Sequence, residues 1–267
     1  MTRTTGGGLS LLERGEPGRP AIVLLHGWAQ TGEVWSDAVD ALADEFHLLV
    51  PDLRGHGRSG GVDGPFDDGR VWADDLAEVI ALARGPVTLV GWSYGGLVIT
   101  DYLRSRGCAG LRGIVLVGAL TEIGRGNPGG AVGPAMRAAL PDVLSPDDAV
   151  AEPAARALIT AMTAEPPAPG VVERGVATTL RTPAHVRRGL FTRSVSSGDV
   201  LAGITVPTLV LHGDQDAVVA PAAAEYALGK IPGASARWFT RVGHMPFAER
   251  AAEFTHAVRS HAGGRKE

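Results

Sequence analysis

Two kinds of hydrophobic pattern alternate along this 267-residue chain. Short unbroken apolar runs recur at Ala21–Leu25, Phe46–Val50, Val87–Val90, Ile114–Val117 and Thr208–His212, and four of them are followed directly by glycine or proline. Runs of this length with β-branched members fit strands buried on both faces. Between them the spacing turns helical. Val34, Ala38, Ala41 and Leu42 lie on one side of Val34–Ala43, and Leu76, Val79, Ile80 and Ala83 form an apolar face on Val71–Ala83. Leu97–Leu103, Pro221–Leu228 and Ala251–Arg259 also read as helices, the last with Phe254 and Val258 inward. Leu9–Glu16 reads as a short edge strand, Ala234–Phe239 as a last strand, and the few residues before Gly6 leave any earlier strand short or absent. Strand–helix alternation of this kind predicts an α/β fold with a mostly parallel central sheet and helices on both faces.

The pattern changes after Gly118. Thr121–Gly133 is a glycine-rich loop, and Pro134–Arg188 reads as short helices broken by Pro141, Pro146, Pro153, the Pro166-Pro167-Ala168-Pro169 cluster and Pro183. This predicts a small helical cap, residues 121–197, inserted between two parts of the core, 1–120 and 198–267. Met136, Leu140, Leu144, Leu158, Ile159, Met162, Leu180, Leu190 and Phe191 either line a pocket beneath the cap or bury it against the core. The polar tail from Gly263 to Glu267 reads as frayed.

The densest chemistry lies in Gly91-Trp92-Ser93-Tyr94-Gly95-Gly96, between a predicted strand and a predicted helix. A serine raised on a sharp strand-to-helix turn needs neighbours without side chains two residues away on each side, or the backbone segments collide. Its hydroxyl then stands at the carboxyl edge of the sheet, where ligands of such folds bind, beside a helix N-terminus that favours developing negative charge. Serine is a weak nucleophile at neutral pH and needs a base. His244, in a loop after the last strand with Gly243 before it, is the candidate, because imidazole takes up and returns a proton near pH 7. A carboxylate must hold its tautomer. Asp214 and Asp216 both follow the Thr208–His212 run, and spacing does not separate them.

Composition narrows the partners. With 25 basic against 29 acidic residues, a net charge of −4 and no basic stripe, nothing suggests a nucleic-acid surface. Cys108 is the sole cysteine, so neither an intrachain disulfide nor a cysteine metal cluster can form. The start of the chain lacks the apolar stretch of a secretory signal, and no run approaches a membrane span, so a cytoplasmic protein without membrane association is expected. No phosphate-cradling glycine loop accompanies the serine motif, and no metal or other cofactor is expected.

Five motifs in order, His26-Gly27-Trp28, Asp52-Leu53-Arg54-Gly55-His56-Gly57-Arg58-Ser59, the serine motif, His212-Gly213-Asp214-Gln215-Asp216 and Gly243-His244, resemble the serine esterase and haloperoxidase-like group of the α/β-hydrolase fold. The carboxylesterases that release pimeloyl groups in biotin synthesis are similar. The resemblance runs from about Leu9 to His261 and is weakest from Gly124 to Ser196. It implies Ser93 as nucleophile, His244 as base, Asp216 as acid, and the backbone N–H groups of Trp28 and Tyr94 as oxyanion donors. Asp214 is then left to brace backbone, as are His26 and His56, while Arg54 and Arg58 either pair with Asp52 or fix the loop. Ala29 stands where peracid-forming members carry proline, which argues against perhydrolysis. The expected activity is hydrolysis of a small or medium apolar ester or thioester. The same groups would also serve an acyltransferase, a lactone or carbon–carbon bond hydrolase, and a non-catalytic ligand-binding member of the fold is the alternative of another class.

Overall fold

The computed structural model describes residues 1–61, 63–167 and 170–263. The apolar runs become strands of one eight-stranded sheet: β1 (Thr2–Thr4), β2 (Ser10–Arg14), β3 (Ala21–Leu25), β4 (His47–Pro51), β5 (Val87–Trp92), β6 (Leu111–Val117), β7 (Thr208–Gly213) and β8 (Ser235–Phe239). Their order is β1-β2-β4-β3-β5-β6-β7-β8. The pairs β1–β2 and β2–β4 are antiparallel, and every other pair is parallel. Burial explains the unbroken apolar runs, since every residue of β3, β4 and β5 is covered. Leu9–Glu16 is not the edge strand its sequence suggests: three residues from Thr2 pair outside it and make β2 internal.

The helices are α1 (Ser36–Leu42), α2 (Gly69–Ile80), α3 (Tyr94–Arg106), α4 (Pro134–Val143), α5 (Asp148–Thr160), α6 (Val171–Arg181), α7 (Ala184–Gly189), α8 (Gly198–Ala202), α9 (Pro221–Lys230), α10 (Pro246–Glu249) and α11 (Ala251–Gly263). The Asp68 carboxylate caps α2 by accepting from the Arg70 N–H at 2.9 Å, and the helix turns Trp72, Leu76 and Val79 inward against α3. In α11, Phe254 and Val258 are fully buried, as their spacing predicts. No helix among the described residues is long and apolar enough to cross a membrane.

Four of these helices, α4 to α7, occupy the proline-rich stretch. Two of its prolines do not act as breakers: Pro141 lies inside α4 and Pro153 inside α5. Both are exposed, so the carbonyls one turn earlier, deprived of an N–H partner, face water instead of the core. Pro146 and Pro183 do separate helices. Ala168 and Pro169 of the proline cluster, and the tail beyond Gly263, lie outside the described residues. The stretch leaves the core and rejoins it at one place, where Ile123 and Val195 form an isolated antiparallel bridge. Of its apolar residues, Met136, Leu158, Ile159, Met162 and Leu190 are buried, while Leu140, Leu144, Leu180 and Phe191 are partly buried against the core.

Parallel register decides where the chemistry collects. Leu25 pairs with Gly91, Trp92 with Val117, and Val117 with Leu211, so four neighbouring strands end on one rim. The loops that follow them carry His26, Ser93, Gly118 and Asp216.

Candidate active site

Ser93 occupies the single residue between β5 and α3, with φ 53° and ψ −117°. A non-glycine residue there costs on the order of 1–3 kcal/mol and persists only where its surroundings hold it. They do: the Ser93 N–H donates to Val117 O at 3.0 Å, and Ser93 O accepts from the N–H groups of Gly96 and Leu120, also at 3.0 Å. The flanking glycines follow the steric argument. A Cβ on Gly91 would lie 2.8 Å from the backbone of Gly95, and one on Gly95 would lie 2.7 Å from Leu25 O. Tyr94 opens α3, so its N–H is among those with no intrahelical acceptor. The loop after β3 presses against this turn, because a Cβ on Gly27 would come within 3.0 Å of the Ser93 Cβ.

His244 and Asp216 meet. His244 Nδ1 lies 2.7 Å from Asp216 Oδ2, with both residues buried. The other carboxylate oxygen accepts from the N–H groups of Val218 and Val219 at 2.8 and 2.9 Å. With that many donors the carboxylate is held in one rotamer, and Nδ1 is the His244 nitrogen placed to donate to it. His244 Nε2 is buried and has no hydrogen-bond partner. Asp214, the other carboxylate of the loop, is exposed and accepts from Arg241 N–H at 2.7 Å, bracing the neighbouring loop. The histidine and the serine share neighbours. Trp92 Nε1 donates to His244 O at 2.9 Å, and the two rings lie 5.2 Å apart. Gly118, next to the acceptor of the Ser93 N–H, has φ +47°, and a Cβ on it would sit 3.0 Å from His244 Nδ1 and 3.2 Å from Asp216 Oδ2.

The other histidines of the rim hold backbone. His26 accepts Leu53 N–H on Nε2 at 2.8 Å and bonds Gly27 O through Nδ1. His56 accepts Ala29 N–H on Nε2 at 3.2 Å and bonds Arg54 O through Nδ1. Burial, opposed by the Gly27 carbonyl, pushes His26 down to about 4; burial and the neighbouring His26, opposed by the Arg54 and Leu53 backbone and the Asp52 charge, push His56 down to about 3. Ala29 has φ 52° and gives its N–H to His56, so proline, with its fixed negative φ and no N–H, cannot stand there. Arg54 pairs with Asp75 at 2.6 Å instead of Asp52, whose carboxylate takes the backbone N–H groups of Gly32 and Arg58. Trp92 packs beneath the turn, and Trp28 lies against Phe191 and donates to Arg187 O at 3.1 Å. Among the described residues no cluster of three or more His, Cys, Asp or Glu side chains is arranged to hold a metal.

Sequence reading missed three residues. Gly118 reads only as the end of an apolar run; its sole signal is glycine directly after a buried strand. Glu249 accepts Gly243 N–H and Ala164 N–H at 2.8 Å each, tying the histidine loop to the segment after α5. Met162 O accepts His244 N–H at 2.7 Å. Nothing in the sequence links residue 162 to residue 244.

This strand–turn–helix serine, with its histidine–aspartate pair on the same rim, agrees with comparison to known proteins. A profile described as the alpha/beta hydrolase family matches residues 22–257. The chain belongs to that family. An esterase of known structure from a Rhodococcus species superposes with a TM-score of 0.93 at 38% identity, over 99% of this chain and 98% of its own. A putative aryl esterase from Burkholderia cenocepacia gives a TM-score of 0.85 at 27% identity, over 99% of both chains. A pimeloyl-[acyl-carrier protein] methyl ester esterase from Stenotrophomonas maltophilia is 29% identical over 90% of this chain and 91% of its own length. The hydrolase described here is a serine hydrolase of the esterase type.

Proposed function

We propose that this hydrolase cleaves small or medium apolar esters or thioesters through Ser93, His244 and Asp216 by way of an acyl-enzyme. The observation that carries the reading is the buried imidazole of His244, one nitrogen fixed by Asp216 and the other without a partner. Ser93 Oγ attacks the carbonyl carbon while His244 Nε2 takes its proton, and Asp216 steadies the resulting imidazolium. The carbonyl oxygen, now negative, receives the N–H groups of Trp28 and Tyr94; one such donor is worth roughly 3 kcal/mol in the transition state. The C–O or C–S bond breaks, and the leaving alcohol or thiol takes the proton from His244. Water then repeats the sequence, giving up a proton to His244, and leaves the acid with Ser93 restored.

We further propose that residues 121–197 act as the cap over this site, between core segments 1–120 and 198–267. A cavity of about 260 Å³ lies between Gln30, Thr31 and Met245 of the core and Ile159, Met162 and Val171 of this stretch; Glu33, Asp37 and Arg174 also line it, and it opens beside His244 at Met245 without including Ser93 or His244 in its wall. The likeness to a pimeloyl-[acyl-carrier protein] methyl ester esterase and to a putative aryl esterase supports ester cleavage with a small alkyl or aryl alcohol as the leaving group. A backbone that excludes proline at position 29 weighs against peracid formation.

The test is a panel of p-nitrophenyl esters from acetate to decanoate, with thioesters and lactones, alongside labelling by a fluorophosphonate probe. Short-chain turnover and labelling of the native protein, both abolished in Ser93→Ala, are expected. A folded native protein that neither labels nor turns over any member would defeat the reading.

A further inference from the structure

Asp216 Oδ2, the oxygen that holds His244, has a second imidazole beside it. His212 Nε2 stands 3.3 Å from this oxygen and 3.2 Å from Val219 O, and the residue is buried. Two acceptors facing one ring nitrogen leave it a single sensible state: Nε2 must carry the proton, since a bare lone pair there would be repelled by both oxygens. His212 Nδ1 is buried without any partner, so a second proton on it would be a desolvated, unsatisfied donor. His212 is therefore a neutral imidazole in the Nε2–H tautomer. Burial, the largest influence on it, acts in the same direction, as does the charge His244 acquires, while Asp216, the Val219 carbonyl and Glu225 oppose them. The exposed Trp238 ring lies 5.6 Å away and packs against it from β8.

We propose that His212 is a positioning residue for the acid, its Nε2–H bonded to Val219 O and lying 3.3 Å from Asp216 Oδ2, so that the positive end of this N–H steadies the carboxylate and takes up part of its charge. Val219 closes the device, since it accepts from His212 through its carbonyl and donates to Asp216 Oδ1 through its N–H. The proposal rests on the Ser93–His244–Asp216 reading. Its chemical consequence has a definite sign. Without the His212 donor, Asp216 bears a fuller negative charge and favours the protonated form of His244, so the acid limb of the rate profile moves to higher pH.

The experiment compares the pH dependence of kcat/KM for a short p-nitrophenyl ester in the native protein, His212→Leu and His212→Gln, with thermal melting of each. In the leucine protein the acid limb is expected to rise by about half a pH unit or more, with kcat down several-fold and KM within twofold. His212→Gln, whose amide N–H reaches nearly as far as Nε2, restores the limb. A leucine protein with a lower Tm but an unmoved limb would reduce His212 to packing and overturn the proposal. If the leucine protein fails to fold, His212→Asn takes its place, because its shorter amide cannot reach Asp216, and the same criteria apply. Ser93→Ala in the same assay separates the two readings: activity surviving there removes the triad itself, whereas loss there with an unmoved His212 limb removes only this proposal.

Discussion

Backbone geometry at single residues controls this site as much as side-chain chemistry does. Gly118 is the clearest case. Its φ of +47° is costly for any other residue, by about 1–2 kcal/mol for alanine, and the added methyl would sit 3.0 Å from His244 Nδ1. Gly118→Ala should therefore lose a modest few degrees in Tm but more than tenfold in kcat, because the methyl pushes on the hydrogen bond between His244 and Asp216. Equal retention of kcat and Tm would show that the pair tolerates displacement. The three residues proposed for acyl transfer, Ser93, His244 and Asp216, were legible as candidates by residue type, because each step of that chemistry demands one kind of group. The choice between Asp214 and Asp216 was not readable from spacing. It turns on which carboxylate is buried and which is exposed, a property of the loop's path and not of its composition.

At the level of elements, the strand–helix alternation was legible because buried parallel strands must be apolar throughout. The proline-rich stretch misled at Pro141 and Pro153, where exposure lets a helix tolerate what a buried one would not. Long-range ties escaped the sequence altogether. One holds α3 to the segment after α7: Arg193 donates to both oxygens of Asp101 at 2.7 and 2.8 Å and to Tyr94 Oη at 3.2 Å, with Arg193 and Asp101 both buried. Tyr94 and Asp101 together raise the Arg193 guanidinium above its ordinary value against the effect of burial, while burial raises the Asp101 carboxyl against the pull of Arg193. Removing one partner strands a charge in the interior. Arg193→Met should cost on the order of 3–5 kcal/mol in urea denaturation, whereas adding Asp101→Leu to it should recover most of the loss. A double variant as unstable as the single would mean that packing, not the stranded charge, sets the cost.

Over the whole molecule, the buried neutral histidines govern acid stability. His26 and His56 titrate at about 4 and about 3 when folded, against an ordinary value near 6.5. The unfolded chain therefore binds more protons below that value, and their contribution to stability, complete above pH 6.5, is lost as pH falls toward the folded values. Between pH 6.5 and 5 each should take away roughly 2 kcal/mol, visible as a falling midpoint in urea titrations. A midpoint constant over that range would mean that protons reach these rings without unfolding. Neither histidine carries chemistry, yet both brace the loops flanking Ser93, so loss of activity in acid should track unfolding of the rim.

The bridge between Ile123 and Val195 has a different kind of consequence. The stretch that begins and ends there is stitched to the core again at the bridge between Val132 and Val219 and at Met162, whose carbonyl takes His244 N–H, so a change in its path reaches the loops that hold Asp216 and His244. Any rewriting of that stretch is therefore felt at the imidazole and its carboxylate, and not at the strand order below them.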